Sequence, residues 1–170
     1  MKRLYFMRHG LSVHNQIGKF SGRINSPLTD EGRQDVKANA EELVGVNIDA
    51  IVSSPLSRAL DSAKIIAEVI GFPEDKIIVS DLFSERDFGK LEGTPYSPLA
   101  VNDDVEDIES IEDLIKRAEK GFELLNKIDA NDILLVSHGS LGRAMVFVIS
   151  QDTDKSQKVK FHNAKIEQLI

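Results

Sequence analysis

Short apolar runs alternate along this chain with longer segments whose apolar residues recur at helical spacing. Leu4-Tyr5-Phe6-Met7, Ala50-Ile51-Val52 and Ile133-Leu134-Leu135-Val136 have the length and composition of strands covered on both faces. Lys76 to Val79 reads as a further strand, and the last eight residues as an edge strand. Amphipathic stretches lie between them. Thr29 is placed as an N-cap ahead of Asp30 and Glu31, whose charges suit the positive end of a helix dipole. Val36, Ala40, Leu43 and Val44 then make one apolar face as far as Gly45. A second helix, over residues 56 to 70, carries Ala59, Leu60, Ala63, Ile66, Ala67 and Ile70, with Arg58 in its first turn. Ser110-Ile111-Glu112-Asp113 resembles a capping box and opens a third, striped by Leu114, Ala118, Phe122 and Leu125. Leu141 to Ile149 is apolar almost all round and reads as a buried helix.

Strands alternating with helices predict an α/β fold, a three-layer α/β/α sandwich with a mostly parallel central sheet. With 170 residues, no internal repeat and no linker, the expectation is one domain over residues 1–170. The net charge of −7 and pI of about 5.1 argue against nucleic acid and anionic membranes as partners. An anionic substrate would therefore need a locally basic pocket. The chain has no cysteine, which excludes disulfides, thiolate metal sites and a cysteine nucleophile. No apolar run has the length of a signal peptide or membrane span, so the expected location is cytoplasmic.

In parallel sheets, ligands bind beyond the carboxyl ends of the strands. The first strand runs into Arg8-His9-Gly10, with Ser12 and Asn15 just behind. Arginine offers a planar fork of donors that fits phosphate, a neutral imidazole can attack an electrophile, and glycine permits a sharp turn and a close ligand. Taken alone, the same stretch reads equally as a strand end with two surface charges. The second strand, however, is followed by Arg58 at a helix start, where a cation is disfavoured unless an anion sits there, and the fourth by His138-Gly139. Two arginines and two histidines thus reach one rim, which favours a phosphoryl site. His14 and His162 fit no such position and read as surface or structural residues, and no metal-ligand spacing is present. The acids of 103–113, seven in eleven residues, read as a solvated loop and helix start.

With these motifs in order, the chain resembles the histidine phosphatase superfamily, also called phosphoglycerate-mutase-like. The resemblance runs through Arg8-His9-Gly10, Ser21-Gly22-Arg23, Ser26 to Thr29, Ser54 to Ala59, Glu85 to Gly93, Ser137-His138-Gly139 with Arg143, and Asn163-Ala164. It implies that His9 is the nucleophile, forming a phosphohistidine, and that Arg8, Arg58 and a protonated His138 clamp the phosphoryl oxygens. Glu85 would protonate the leaving oxygen and then activate water. Ser12, Asn15, Ser21, Gly22 and the Gly139 backbone would bind phosphate or substrate. It implies no metal and no cofactor, a small phosphorylated substrate, and inorganic phosphate as product. His9 should be held through its other ring nitrogen by a backbone carbonyl.

Phe88-Gly89 and Glu92-Gly93 match the phosphatase branch, and the chain lacks the adjacent arginines usual in glycolytic mutases. The acidic segment between Gly93 and Ile111 is short, which implies a reduced cap and an open pocket. Glu85 favours phosphate monoesters over phosphohistidine, and Leu11 makes the pocket edge less polar than in many relatives. The expectation is a broad-specificity phosphomonoester hydrolase. Phosphoglycerate mutase activity, phosphohistidine phosphatase activity and a noncatalytic phospho-ligand binding role are the alternatives.

Overall fold

The computed structural model describes residues 2–101, 105 and 107–170. Its centre is a sheet of five strands in the order β3-β2-β4-β1-β5. Strands β1 (Arg3–Arg8), β2 (Ala50–Ser53), β3 (Ile78–Val79) and β4 (Asp132–Ser137) are parallel, and β5 (Ile166–Gln168) pairs antiparallel with β1 at one edge. β4 is buried along its whole length, which is why its sequence is a continuous apolar run rather than an alternation.

Strand alternation sends each side chain to one of two cores. Phe6, Val52, Ile133 and Leu135 pack under α4 (Ile111–Lys127) and α5 (Gly139–Ser150). Met7, Ile51, Leu134 and Val136 pack on the opposite face under α2 (Asp30–Ala40) and α3 (Ser57–Ile70). These are the three expected layers. Phe6 lies 4.5 Å from Phe161, ring centroid to centroid, and truncating it to alanine should cost about 3–5 kcal/mol.

The predicted elements appear with shifted ends. Thr29 is the N-cap of α2, with Oγ1 accepting from Gly32 N at 2.9 Å. The helix stops at Ala40 in a 3₁₀ turn, and Val44, assigned to its apolar face, is 57% exposed. β3 shrinks to two residues because 74–76 form a 3₁₀ turn. α5 begins at Gly139, two residues early, and its last turn is only half-buried. Two short helices, α1 (Val13–Gln16) and α6 (Thr153–Lys158), are too brief for periodicity to reveal. Among the described residues, no helix is long and apolar enough to cross a membrane.

Candidate active site

β1 and β4 lie side by side with Arg8 opposite Ser137, so the next residues, His9 and His138, leave the sheet together. Their ring centroids are 5.1 Å apart. β2 flanks β4 on its other side and delivers Ser54 and then Arg58, in the first turn of α3.

His9 is buried, with Nδ1 2.7 Å from the Gly10 carbonyl oxygen. A carbonyl only accepts, so Nδ1 carries the proton and Nε2 keeps its lone pair. In this state Nε2 accepts from Arg58 Nε at 3.1 Å. Arg58 Nη1 and Nη2 each donate to a carbonyl, of Ile24 at 2.9 Å and of Gly22 at 2.8 Å, which fixes the cation at the floor. Burial pushes the Arg58 pKa down to about 10, with Glu85 opposing and Arg8 adding to the shift. Burial, then the charges of Arg58 and Arg8, hold His9 well below its ordinary 6.5, so the ring is neutral at neutral pH.

His138 differs from the expectation. Burial comes first, then repulsion from Arg58, and together with neighbouring cations they hold it well below 6.5, so it is not protonated in this state. Its Nε2 lies 2.8 Å from Ser54 Oγ, while its buried Nδ1 has no partner among the described residues. Gly10 also serves another purpose than the expected turn and ligand approach. A Cβ there would stand 2.5 Å from the Gly32 carbonyl oxygen, so its smallness admits the start of α2.

A cavity of about 540 Å³ opens over His9. Arg8, His9, Asn15, Ser21, Gly22, Arg58, Glu85 and Gly139 line it, whereas Ser12 and His138 stand behind its wall. Ser12 caps α1 and its hydroxyl donates to Asn15 Oδ1 at 3.0 Å, so it orients Asn15 instead of facing a ligand. Asn163 Nδ2 donates to the His9 carbonyl oxygen at 2.9 Å and steadies the same loop. Arg8 Nη1 donates to the Phe161 carbonyl at 3.0 Å, leaving its buried Nε without an acceptor among the described residues. Leu11 lines the cavity as well. His162 is exposed, but His14 is half-buried, with a buried and unpartnered Nδ1.

Glu85 lies off the sheet, on the loop after Phe83. Its Oε1 accepts from the backbone N–H of Arg86 at 2.9 Å, Ser140 at 3.1 Å and Leu141 at 3.3 Å, at the N-terminus of α5. Sequence reasoning missed what holds this loop. Arg117, on α4, donates to the carbonyls of Leu82 at 3.0 Å, Ser84 at 2.7 Å and Glu85 at 3.3 Å. It also grips Glu109 through two 2.8 Å bonds. Glu109 was among the acids read as solvated, and this contact corrects that reading. Asp103, Asp104 and Glu106 of the same run lie outside the described residues. An arginine at position 117, one turn after Leu114 and beside Ala118, interrupts an apolar stripe, which is the signal that marks it. Glu92 plays a similar part, its Oε1 accepting from Arg23 N at 2.7 Å and Phe88 N at 3.2 Å.

Comparisons with known proteins place the sequence and fold among relatives. The chain is 31% identical over 168 residues to the uncharacterized phosphatase PhoE of Bacillus subtilis, covering 96% of this chain and 86% of that one. Its fold matches the native mycobacterial glucosyl-3-phosphoglycerate phosphatase with a TM-score of 0.83 and 25% identity, covering 98% of this chain and 89% of that one. A phosphoserine phosphatase from Entamoeba histolytica, solved with 3-phosphoglyceric acid, matches with a TM-score of 0.80 and 25% identity over 99% and 90% of the two chains. The model of the histidine phosphatase superfamily (branch 1) matches residues 4–170, and the chain belongs to that family.

Proposed function

We propose that this protein is a metal-independent phosphomonoester hydrolase working through a phosphohistidine on His9. The observation that carries the reading is the fixed, neutral His9, with Nδ1 tied to Gly10 and Nε2 turned to the buried cation Arg58. A phosphoryl group entering the cavity takes over the Arg58 Nε–H, which frees the Nε2 lone pair. Nε2 then bonds to phosphorus as the bond to the leaving oxygen breaks, and Arg8 and Arg58 stabilise the charge on the phosphoryl oxygens. Burial first, and then the neighbouring cations, keep His138 neutral, and a phosphoryl dianion beside it offsets the cations' part and favours its protonation.

Glu85 supplies the proton that the leaving oxygen needs. Its Oε1 is engaged by three backbone donors, while among the described residues Oε2 has only one long contact, from Ser140 N at 3.3 Å, so Oε2 is assigned the proton exchange. Water next attacks the phosphohistidine, its proton passes to Glu85, and phosphate leaves. The presence of Glu85 favours monoesters over phosphohistidine, and the lack of adjacent arginines disfavours a mutase. The named activities of the phosphatase relatives support small phosphorylated metabolites as substrates.

The test is hydrolysis of a phosphomonoester panel in EDTA, beside a mutase assay with 2,3-bisphosphoglycerate and a phosphohistidine peptide. Monoester turnover with an acid-labile phosphoprotein, both abolished in His9→Ala, is the expected result. Turnover that survives His9→Ala would overturn the mechanism.

A further inference from the structure

The carbonyls of Arg8, His9 and Gly10 find donors in a turn near the far end of the chain. Ala164 N donates to the Arg8 carbonyl oxygen at 2.8 Å and to that of His9 at 3.3 Å. Asn163 Nδ2 donates to the His9 carbonyl at 2.9 Å and reaches the Gly10 carbonyl at 3.3 Å and Asn15 Oδ1 at 3.4 Å. Asn15 Oδ1 already accepts from the Ser12 N–H, so all three neighbours of the amide are acceptors and its nitrogen is the end that faces them. The turn is anchored on both sides. Phe161 and Ala164 are buried, one in each core, and β5 runs back from it along β1. Ala164 also takes a left-handed φ of +59°, which a non-glycine residue adopts only where its surroundings impose it.

The Gly10 carbonyl is the acceptor that keeps the proton on His9 Nδ1 and so leaves Nε2 its lone pair. It belongs to the residue type whose backbone is least restrained, and a side chain cannot stiffen that position because a Cβ would meet Gly32. The restraint has to come from outside the loop. We propose that Asn163 is a positioning residue for the nucleophile: with Ala164 it holds the carbonyls of residues 8–10 in place, and its amide fixes the Gly10 carbonyl that selects the His9 tautomer. The same turn steadies the neighbouring cation, through the Arg8 Nη1 bond to the Phe161 carbonyl. The inference adds a residue to the mechanism proposed above and rests on His9 as the nucleophile.

The ring nitrogens of His9, read by nitrogen NMR of histidine-labelled, ligand-free protein at neutral pH, report the tautomer without turnover. Wild type should show a protonated Nδ1 and a bare Nε2. In Asn163→Ala the two signals should move toward each other as both tautomers become populated. Its kcat/KM should fall on the order of 10-fold, as the loss of one hydrogen bond gives, on alkyl and aryl phosphates alike because the acid is untouched. Asn163→Leu, which fills the space and lacks the donors, should shift the signals the same way and serves where the alanine variant does not fold. Leu43→Ala, a core truncation under α2, controls for stability, and its His9 signals should stay as in wild type. Unchanged signals in the folded Asn163 variants, with or without a loss of activity, or signals that move equally in Leu43→Ala, overturn the positioning role. A tautomer shift in a protein that hydrolyses nothing would sustain that role and sink the phosphatase reading.

Discussion

The corner that holds His9 and the loop that holds Glu85 face each other across one cavity, yet they are built by different means. His9 inherits its place from the sheet: the β1–β4 register sets it beside His138, and the carbonyl of the next residue fixes its ring. Glu85 inherits nothing from a strand. Its place depends on the N-terminus of α5 and on an arginine 32 residues away in the chain. His9 is therefore positioned by the sheet and the neighbouring carbonyl, Glu85 by a helix N-terminus and the Arg117 side chain, and on the proposed mechanism the two should fail differently. Loss of the acid should depend on how badly the leaving group needs a proton. Glu85→Gln should lower kcat/KM, which reports the leaving-group step, on alkyl phosphates by about 10²–10⁴-fold and on 4-nitrophenyl phosphate far less. Equal losses on both would deny Glu85 its role.

Arg117→Ala should reproduce that pattern in weaker form, because it releases the carbonyls of 82, 84 and 85 together and strands the Glu109 carboxylate. A drop of roughly 10–100-fold in kcat on alkyl phosphates is expected, with KM less affected, as for a misplaced catalytic group. Breaking the largely buried pair should also cost about 3–5 kcal/mol in chemical denaturation. Arg117→Lys should not rescue it, since a point charge cannot span two carboxylate oxygens and three carbonyls. If that variant restores the leaving-group pattern, the planar grip is not what places Glu85.

The same contrast explains what could be read in the sequence. Continuous apolar runs gave away β1, β2 and β4, and residues at strand ends follow directly from them, so Arg8, His9, Arg58 and His138 were legible. The roles of Ser12 and Gly10 were not, because whether a small residue faces a ligand or a neighbouring helix depends on packing that no local pattern encodes. Arg117 and Glu109 are eight residues apart, and although Arg117 stands out beside the apolar stripe of its helix, nothing local pairs it with Glu109. Only the return of the loop 82–87 against α4 turns them into a clasp, and Glu109 became a false member of a solvated acidic run for that reason.

Gly22 tests a joint between the two regions. Its carbonyl accepts from Arg58, its φ of +48° is left-handed, and a Cβ there would fall 1.9 Å from Glu92 Oε1. Gly22→Ala must displace either Glu92, which tethers the turn to the acid loop, or the carbonyl that anchors Arg58. An activity loss of about 10-fold, on alkyl and aryl phosphates alike, is expected from disturbed phosphoryl binding. A loss confined to alkyl esters would assign the joint to the acid side.

Acid should separate the regions by stability as well. His9 and His138 have native pKa values depressed below the ordinary 6.5 by burial and nearby cations. Below about pH 6.5 the unfolded chain takes up protons at these rings that the native protein refuses, so native stability falls as pH falls, by up to ~1.4 kcal/mol per pH unit for each ring. Above that pH they contribute no slope. Glu109 behaves oppositely: burial raises its carboxyl, but the Arg117 bond and charge outweigh it and leave the pKa below the ordinary 4.5. Its contribution is complete above about pH 4.5 and is lost only as pH falls through the lower native value. Denaturation midpoints should therefore decline between pH 6.5 and 5.5 in wild type. His138→Gln should flatten that decline, and Arg117→Ala should leave its slope intact at a lower overall stability. A wild-type midpoint that stays level across this window would mean that the rings are already charged in the fold, and a charged His9 has no lone pair with which to attack phosphorus.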